Sequence, residues 1–279
     1  MIEKIKIQSN GHEFDYNTFY SRCEVDLSKT IEHPPIALGI GYHGYQGSQY
    51  LNPTFTYGEM SAIVAPQKSK KTFFKSALEA SYIGGQASNH FPSIKSNRDN
   101  QWLISFDTEQ SEYYAQRAFK TVERMVGMPC ENYKCFQMKG LTDEEMVSFI
   151  DGVVNDPRFK GNIGWISIDG IADLCTNTND VVRSKEIVKK LEGYTTMGIH
   201  VCGVIHKTFE KDKATGHLGT FVQKKAETVI FLSDTDKDTI NAPIRVKQKD
   251  SRGAPFQDFF FDLDPINILP KECEEASWA

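Results

Sequence analysis

From about residue 59 onward, short apolar segments of the chain alternate with segments of helical periodicity. Continuous apolar strands separated by helices are typical of parallel strands that are buried on both faces. The last apolar segments have no long helix between them, which favours antiparallel pairing there. The pattern predicts an α/β fold, with a mostly parallel central sheet flanked by helices and an antiparallel C-terminal edge. The predicted strands are 60–64, 102–106, 133–138, 163–168, 199–205, 228–232, 244–246 and 259–261.

The segments between the earlier strands carry apolar residues at helical spacing. One of these helices starts with a capping-box pattern formed by Thr142 and Glu145. The predicted helices are 72–84, 111–126, a helix that begins at Thr142, and 179–196.

The two ends of the chain differ from this alternating core. Residues 1–54 lack a clean hydrophobic period, and we interpret them as an N-terminal arm or covering segment. The core is predicted over residues 55–265, and residues 266–279 form an acidic tail. A chain of 279 residues is long enough for one large domain or two small ones.

The composition restricts the class of protein and its compartment. Hydrophobic residues make up 39% and charged residues 25% of the chain, an ordinary balance for a soluble globular protein. No apolar run suits a transmembrane helix or a secretory signal, so we expect a cytoplasmic protein without membrane contact. The six cysteines are scattered, which favours free thiols over a zinc site. The net charge of −5 does not by itself favour nucleic-acid binding.

Residues 65–72 have the spacing of the phosphate-binding pattern G-x-x-x-x-G-K-[ST], between a predicted strand and a predicted helix. Lys71 and Thr72 stand where the pattern has its lysine and its Mg²⁺-binding hydroxyl, whereas Ala65 and Lys70 replace the two glycines. Such a loop binds anions through backbone N–H groups and a helix N-terminus, and the Lys70 ammonium would add charge against a phosphate. The alternative is a basic, solvated helix start. The predicted phosphate-binding residues are Ala65, Pro66, Gln67, Lys68, Ser69, Lys70, Lys71, Thr72 and Phe73.

Polar side chains suited to phosphate chemistry follow three other predicted strands. Ligands in open α/β sheets lie beyond the carboxyl ends of the strands, so these side chains should meet the loop. Asp169 would hold Mg²⁺ with Thr72 and Asp107, and Glu109 would act as a general base toward a water molecule. His206 would contact the terminal phosphate. The alternatives are acids that cap turns and a structural histidine.

Two basic segments could contact other charged molecules. The first is a predicted flexible loop that could touch a nucleic-acid backbone, and the second could supply charge to a nucleotide held by a neighbouring subunit. The alternatives are a solvated basic loop and an ordinary charged hairpin. The residues assigned to these roles are Gly216, His217, Lys224 and Lys225 for nucleic acid, and Lys247, Lys249 and Arg252 for the contact in trans.

Together these motifs resemble a RecA-type ATPase core over roughly residues 55–265. They are most similar to the RepA-like plasmid helicase branch and to ATPases encoded on mobile elements and phages of Bacteroides-type bacteria. Asp107-Thr108-Glu109 is similar to the strand-end Asp-x-Glu of RecA, whose glutamate is the catalytic base. Ile168-Asp169-Gly170 matches the Walker B tip, and Val204-Ile205-His206 is similar to the strand that ends in the family's phosphate sensor.

The basic segments also resemble elements of this family. Residues 216–220 fall where these proteins have a nucleic-acid-facing loop. Lys247-Gln248-Lys249 is similar to the Lys-Gln-Arg element of replicative hexameric helicases, although Lys249 replaces an arginine that could contact phosphate in a bidentate manner. The resemblance implies a ring, often a hexamer, that is driven by ATP.

The motifs and the resemblance predict a RecA-like ATPase that uses ATP and Mg²⁺, with Lys71, Glu109, Asp169 and His206 as catalytic residues. It would couple hydrolysis to binding or helicase-like movement on single-stranded DNA, in replication or mobilisation of a phage or plasmid-like element. One alternative is a nucleotide-binding or nucleic-acid-binding module with an altered loop and little or no hydrolysis. Another is a small-molecule kinase, although no Arg-rich lid segment is evident.

Overall fold

A computed structural model of the chain describes residues 6–9, 12–67, 69–177, 179–207, 216–234 and 242–274. The chain divides into two compact units at residue 33. The smaller unit contains the hairpin of β1 (Lys6–Ser9) and β2 (His12–Asp15), followed by helix α1 (Tyr16–Cys23). The larger unit starts at Pro34, so it includes residues 34–54 of the predicted N-terminal segment.

Strands and helices alternate through most of the larger unit, and each predicted core strand and helix has a counterpart in it. The elements are β3 (Ile36–Tyr45), β4 (Ser48–Thr56), β5 (Met60–Ala65), α2 (Lys71–Ile83), β6 (Ile94–Ser96), β7 (Trp102–Asp107), α3 (Glu112–Val126), β8 (Tyr133–Gln137), α4 (Asp143–Asn155), β9 (Ile163–Asp169), α5 (Val181–Thr195), β10 (His200–His206), α6 (Gly216–Lys225), β11 (Thr228–Asp234), β12 (Ile244–Ser251), β13 (Phe259–Leu263) and β14 (Pro270–Cys273).

The central sheet of the described residues has the strand order β14-β13-β12-β11-β5-β10-β9-β7-β8. The strands from β11 to β8 in this order are parallel, whereas β12, β13 and β14 continue the sheet in antiparallel pairs. This confirms an α/β fold with a large, mostly parallel central sheet. The structure extends the sheet into the predicted acidic tail. Residues 270–273 form strand β14, which pairs with β13 and lengthens the antiparallel edge.

Helices cover both faces of the sheet because its strands carry apolar side chains on both sides. Adjacent strand residues point to opposite faces, so Ile63 packs in the cluster that includes α2 and α3, and Val64 packs in the cluster that includes α4, α5 and α6. Strands β4, β3 and β6 form a separate small sheet, whose Leu38 and Phe55 join the first cluster. The parallel strand ends are therefore held between two packed layers.

The structure differs from the sequence prediction at residues 216–225, which form helix α6 rather than a flexible loop. Leu218 and Val222 lie one helical turn apart, and both are fully buried in the core cluster beneath α6. Glycines and nearby lysines suggested a loop, but the burial of this apolar pair stabilises a helix through tertiary packing.

His200 joins β10 to the neighbouring strands through a fully buried imidazole. Its Nδ1 lies 2.8 Å from the Thr56 carbonyl oxygen, and its Nε2 lies 2.8 Å from Ser61 Oγ. A carbonyl oxygen only accepts, so Nδ1 carries the proton and Nε2 accepts from the serine hydroxyl. Burial against Phe55 and Trp165 lowers the pKa of His200 to about 4 because it disfavours the charged ring, although the Thr56 hydrogen bond opposes this shift.

We expect protonation at His200 to lower the free energy of unfolding by up to roughly 3 kcal/mol as the pH drops from 6.5 to 4, while Glu227, which lies 3.8 Å from the ring and has its pKa raised to about 7, opposes this trend. Because the folded-state pKa is depressed, the neutral ring's contribution is fully present above pH 6.5 and is lost as the unfolded chain takes up a proton. Urea unfolding at several pH values should show a shallower decline for His200→Gln than for the parent. Parallel declines in the two proteins would contradict this assignment.

Candidate functional site

The strand ends that carry the predicted site residues lie side by side in the sheet. Strand β10 pairs with β5 so that His206 is opposite Ala65, the first residue of the predicted phosphate loop. On its other side β10 pairs with β9, and Asp169 in turn lies opposite Asp107 of β7. The strand order β5-β10-β9-β7 therefore brings the four predicted strand ends to one edge of the sheet.

Helix α2 begins at Lys71, so the last three predicted phosphate-binding residues form its first turn. Lys70 precedes the helix in the left-handed conformation, with φ +57° and ψ +21°, a region that favours glycine. The Lys70 ammonium does not extend toward the strand ends but lies 2.5 Å from Asp262 Oδ1. Ser69 Oγ donates to the Pro66 carbonyl oxygen at 2.7 Å, which closes the loop locally, and Lys68 lies outside the described residues.

The Lys71 ammonium is the centre of a cluster at the strand ends. It lies 3.2 Å from Glu109 Oε1, 2.7 Å from His206 Nε2 and 4.0 Å from Asp169 Oδ1. His206 Nε2 is also 2.9 Å from Glu109 Oε1. One imidazole nitrogen cannot both accept from an ammonium and donate to a carboxylate, so these two contacts of His206 compete. The structure thus brings together the four predicted catalytic residues.

Glu109 is held above the sheet edge by the turn that follows β7. The Asp107 carboxylate is fully buried and accepts the backbone N–H groups of Glu109 at 3.1 Å and Gln110 at 2.8 Å. Gly170 leaves room for the Glu109 carboxylate, because a Cβ at residue 170 would lie 2.2 Å from Glu109 Oε1. Asp107 therefore positions the turn that carries Glu109, and its predicted role as a metal ligand stays a prediction.

The charges around these acids shift their pKa values in opposite directions. Burial alone would raise the pKa of Glu109, but the His206 hydrogen bond and the Lys71 charge outweigh it and lower the pKa to about 2. Burial raises the pKa of Asp107, although the turn's N–H groups and Lys75 oppose that change. Glu109 is therefore a carboxylate at neutral pH, and its basicity is suppressed while Lys71 stays beside it.

Thr72 and Asp169 form a pair suited to a small divalent cation. Thr72 Oγ1 donates to Asp169 Oδ2 at 3.0 Å, while the buried Asp169 Oδ1 has no hydrogen-bond partner among the residues that the structure describes. Magnesium is commonly bound by one hydroxyl or carboxylate together with substrate phosphates rather than by a complete cage of side chains. Within the described ranges, no cluster of three or more His, Cys, Asp or Glu residues could hold a metal alone. The donor set therefore fits Mg²⁺ only if a ligand supplies further oxygens.

A cavity of about 610 Å³ adjoins the phosphate loop. The first turn of α2 lines one wall, Tyr114 and Arg117 of α3 line another, and Leu263 and Ile268 close it from the antiparallel edge. Its volume lies within the range of small-molecule sites. An aromatic ring, a guanidinium and two aliphatic side chains can contact a flat ring and a polar sugar beside the loop.

A buried ionic network lies one helical turn further along α2. The Lys75 ammonium is 3.0 Å from Ser105 Oγ and 3.5 Å from Glu79 Oε1, and both charged side chains are 1% exposed. Ser105 and Tyr133 donate to the two Glu79 oxygens at 2.7 and 2.9 Å. Burial lowers the pKa of Lys75, but the charges of Glu79, Asp169 and Asp107 outweigh it and raise the pKa, so the ammonium remains charged. Sequence reasoning missed this network, although the i, i+4 spacing of Lys75 and Glu79 was a signal.

Thr108 ties together the ends of β7 and β9. Its backbone N–H donates to the Asp169 carbonyl oxygen at 2.7 Å, and its Oγ1 donates to Asp173 Oδ2 at 2.7 Å. The Gly170 N–H donates back to Thr108 Oγ1 at 3.0 Å. These bonds fix Asp107 and Glu109 relative to Asp169. No sequence signal identified Thr108, because its partners lie about sixty residues away in the chain.

The predicted contact residues outside the cluster lie on other parts of the larger unit. Lys247 and Lys249 are exposed on β12, and the Lys249 ammonium lies 5.4 Å from the centre of the Phe231 ring. Arg252 pairs with Glu59 at 3.2 Å, beside the start of β5 rather than its end. In α6, Lys225 pairs with Glu192 at 2.8 Å, while His217 and Lys224 are exposed. Their predicted contacts with nucleic acid or a second subunit stay predictions.

No helix in the described part of the chain combines the length and the apolar character needed to cross a membrane. A comparison with protein-family models finds none that matches the chain, and a comparison with curated proteins finds no matching sequence. The resemblance to RecA-type ATPases therefore rests on the motifs and the geometry of the site, and it stays a prediction.

Proposed function

We propose that this protein is a Mg²⁺-dependent ATPase with a RecA-like core that couples ATP hydrolysis to binding or movement on single-stranded DNA. The observation that carries the proposal is the cluster of Lys71, Thr72, Glu109, Asp169 and His206 beside a nucleotide-sized cavity. An ammonium, a hydroxyl and two carboxylates at the carboxyl ends of parallel strands suit phosphoryl transfer to water.

Lys71 is the group that binds the terminal phosphates in this proposal. A triphosphate that takes the Lys71 ammonium removes a positive charge from beside Glu109, which now lies 3.2 Å away. One of the two groups that lower the pKa of Glu109 is then gone, the other being His206, so the carboxylate becomes a better base for the attacking water. When the Lys71 ammonium turns to the phosphate, it no longer competes with Glu109 for His206 Nε2. That nitrogen can then donate to Glu109 or to the terminal phosphate. Substrate binding and activation of the base are thereby linked.

Thr72 and Asp169 would hold the Mg²⁺ that accompanies the nucleotide. The buried Asp169 Oδ1 accepts no hydrogen bond from the described residues, so its lone pairs are open to a cation. The bound cation would neutralise charge that develops on the phosphate oxygens. The nucleoside would occupy the cavity lined by Tyr114 and Arg117.

An exposed set of lysines supports the DNA-binding part of the proposal. This basic face consists of Lys224 at the end of α6 and Lys247 and Lys249 on β12. Lys249 lies over Phe231, which packs in the same cluster as the buried side of α6, so the helix and the strand share one face of the sheet. Lysines beside the aromatic Phe221 suit a single strand, whose phosphates and bases can both be contacted.

The experiment is phosphate release from ATP, with and without single-stranded DNA, with oligomer size recorded by light scattering in the same sample. We expect Mg²⁺-dependent release that single-stranded DNA raises severalfold and a nucleoside does not. Lys224→Gln should reduce the stimulation by DNA, whereas Lys139→Gln, another exposed lysine, should not. Release that responds to a nucleoside instead of DNA would favour a kinase and overturn the proposal.

The second candidate is a nucleotide-binding module without turnover. Lys70 at a glycine position favours it, because the ammonium is engaged by Asp262 and adds nothing to phosphate binding. Equilibrium binding of a labelled ATP analogue distinguishes the two candidates when it is compared with phosphate release. Tight binding without release would establish the binding module.

A further inference from the structure

The phosphate loop adopts a backbone conformation that normally calls for glycine. Lys70, at the second glycine position, has φ +57°. Only glycine visits this left-handed region routinely, and other residues are held there by surrounding structure. The contacts of the Lys70 side chain are therefore candidates for the structure that holds this conformation.

The Lys70 side chain is anchored at its far end. Its ammonium lies 2.5 Å from Asp262 Oδ1 on β13 and donates to the Ala242 carbonyl oxygen at 3.2 Å. Both partners of the ion pair are largely buried, with side-chain exposures of 16% and 11%. Asp262 Oδ1 is fixed in turn by the backbone N–H of Leu263 at 2.7 Å. A partly buried ion pair whose partners are fixed holds its two side chains in one geometry more firmly than an exposed ion pair does.

The same contact joins two walls of the nucleotide-sized cavity. Lys70 belongs to the wall formed by the phosphate loop, and Leu263, next to Asp262, belongs to the wall formed by the antiparallel edge. The loop and the edge are far apart in sequence but are linked through this one ammonium. A loss of the contact would therefore free the loop from the wall that β13 forms, while β13 itself stays paired with β12 and β14.

We propose that Lys70 and Asp262 form a tether that takes over the role of the missing glycine. In this view Lys70 is a positioning residue that holds the phosphate loop open for an anion, and it is not a phosphate ligand. The inference rests on the proposed nucleotide-binding function and concerns the same site. It explains how a loop without either glycine can keep a conformation competent for phosphate binding.

Four variants separate the tether from direct phosphate contact. Lys70→Met keeps a side chain that disfavours φ +57° but removes the ammonium, and Asp262→Asn removes the charge of its partner. Lys70→Gly also removes the ammonium, but it adopts φ +57° without needing a tether. Asp258→Asn is the matched control, because it breaks the exposed Arg245–Asp258 ion pair of 2.6 Å on the same antiparallel edge.

The first readout is the affinity of the whole chain for Mg·ADP, measured by calorimetry. We expect Lys70→Met and Asp262→Asn to weaken binding about tenfold, and Lys70→Gly and Asp258→Asn to stay within about threefold of the parent. If Lys70 bound phosphate directly, Lys70→Gly would be as weak as Lys70→Met. Asp262→Asn would then bind more tightly than the parent, because the ammonium would be free.

The second readout is hydrogen exchange of the backbone amides of residues 69–72 without nucleotide. Exchange should be faster in Lys70→Met and Asp262→Asn than in the parent and in Asp258→Asn. If the parent binds no ADP, the proposed function fails, but faster exchange would still support the tether. Unchanged exchange in Asp262→Asn would overturn the tether, as would unchanged ADP affinity in a parent that binds.

Discussion

Replacing Lys71 with alanine will lower the rate of ATP hydrolysis by roughly a thousandfold. The ammonium stands 3.2 Å from Glu109 and 4.0 Å from Asp169, where it would meet the terminal phosphates of a bound nucleotide. A preorganised charge at a developing anion contributes about 10²–10³ in rate, and loss of the phosphate contact adds to that. Phosphate release under saturating Mg·ATP measures the effect.

Two controls make the Lys71→Ala result interpretable. Lys160→Ala removes an exposed lysine before the start of β9, at the other end of that strand from Asp169, and should leave the rate unchanged. The free energy of unfolding of Lys71→Ala should also be measured, because the change leaves the carboxylates of Glu109 and Asp169 without their cation. A folded Lys71→Ala variant whose rate stays within threefold of the parent would show that Lys71 has been assigned wrongly.

The second large effect concerns stability rather than catalysis. Lys75→Met will lower the free energy of unfolding by about 3–5 kcal/mol, because it leaves the fully buried Glu79 carboxylate without its counter-ion. Ser105 and Tyr133 still donate to Glu79, but hydrogen bonds alone do not compensate a buried charge. Urea unfolding at pH 7 measures the loss.

A second substitution tests whether the buried charge is the cause. Adding Glu79→Gln to Lys75→Met removes both charges, so the double variant should be more stable than Lys75→Met alone. Arg183→Met breaks an exposed i, i+3 pair with Glu186, and it should change stability by less than about 1 kcal/mol. If Lys75→Met costs no more than Arg183→Met, the network does not carry the energy ascribed to it.

The parallel part of the sheet could be predicted because burial on both faces leaves a strong sequence pattern. Strand β9 is buried along its whole length, and its apolar run ends at Asp169 in the sequence as in the structure. Ligands of open α/β sheets bind beyond the carboxyl ends of such strands, so the sequence predicts that Lys71, Glu109 and His206 lie near Asp169. The ion-pair distances agree with that expectation.

The features that sequence reasoning missed depend on contacts between distant segments. Whether the Lys70 ammonium faces a phosphate or Asp262 is decided by a strand 192 residues further along the chain. Helix α6 forms because Leu218 and Val222 find an apolar surface, which local glycines and lysines do not reveal. Strand β14 likewise depends on pairing with β13. Propensity and motif spacing describe local preferences, so they cannot specify such partners.

The most direct test of the central claim is calorimetric titration of the whole chain with ADP, with and without Mg²⁺. The cluster and its cavity predict one ADP per chain, bound more tightly when Mg²⁺ is present. They also predict that Lys71→Ala weakens this binding while Lys160→Ala does not. A parent chain that takes up no ADP at millimolar concentration, with or without Mg²⁺, would contradict the account.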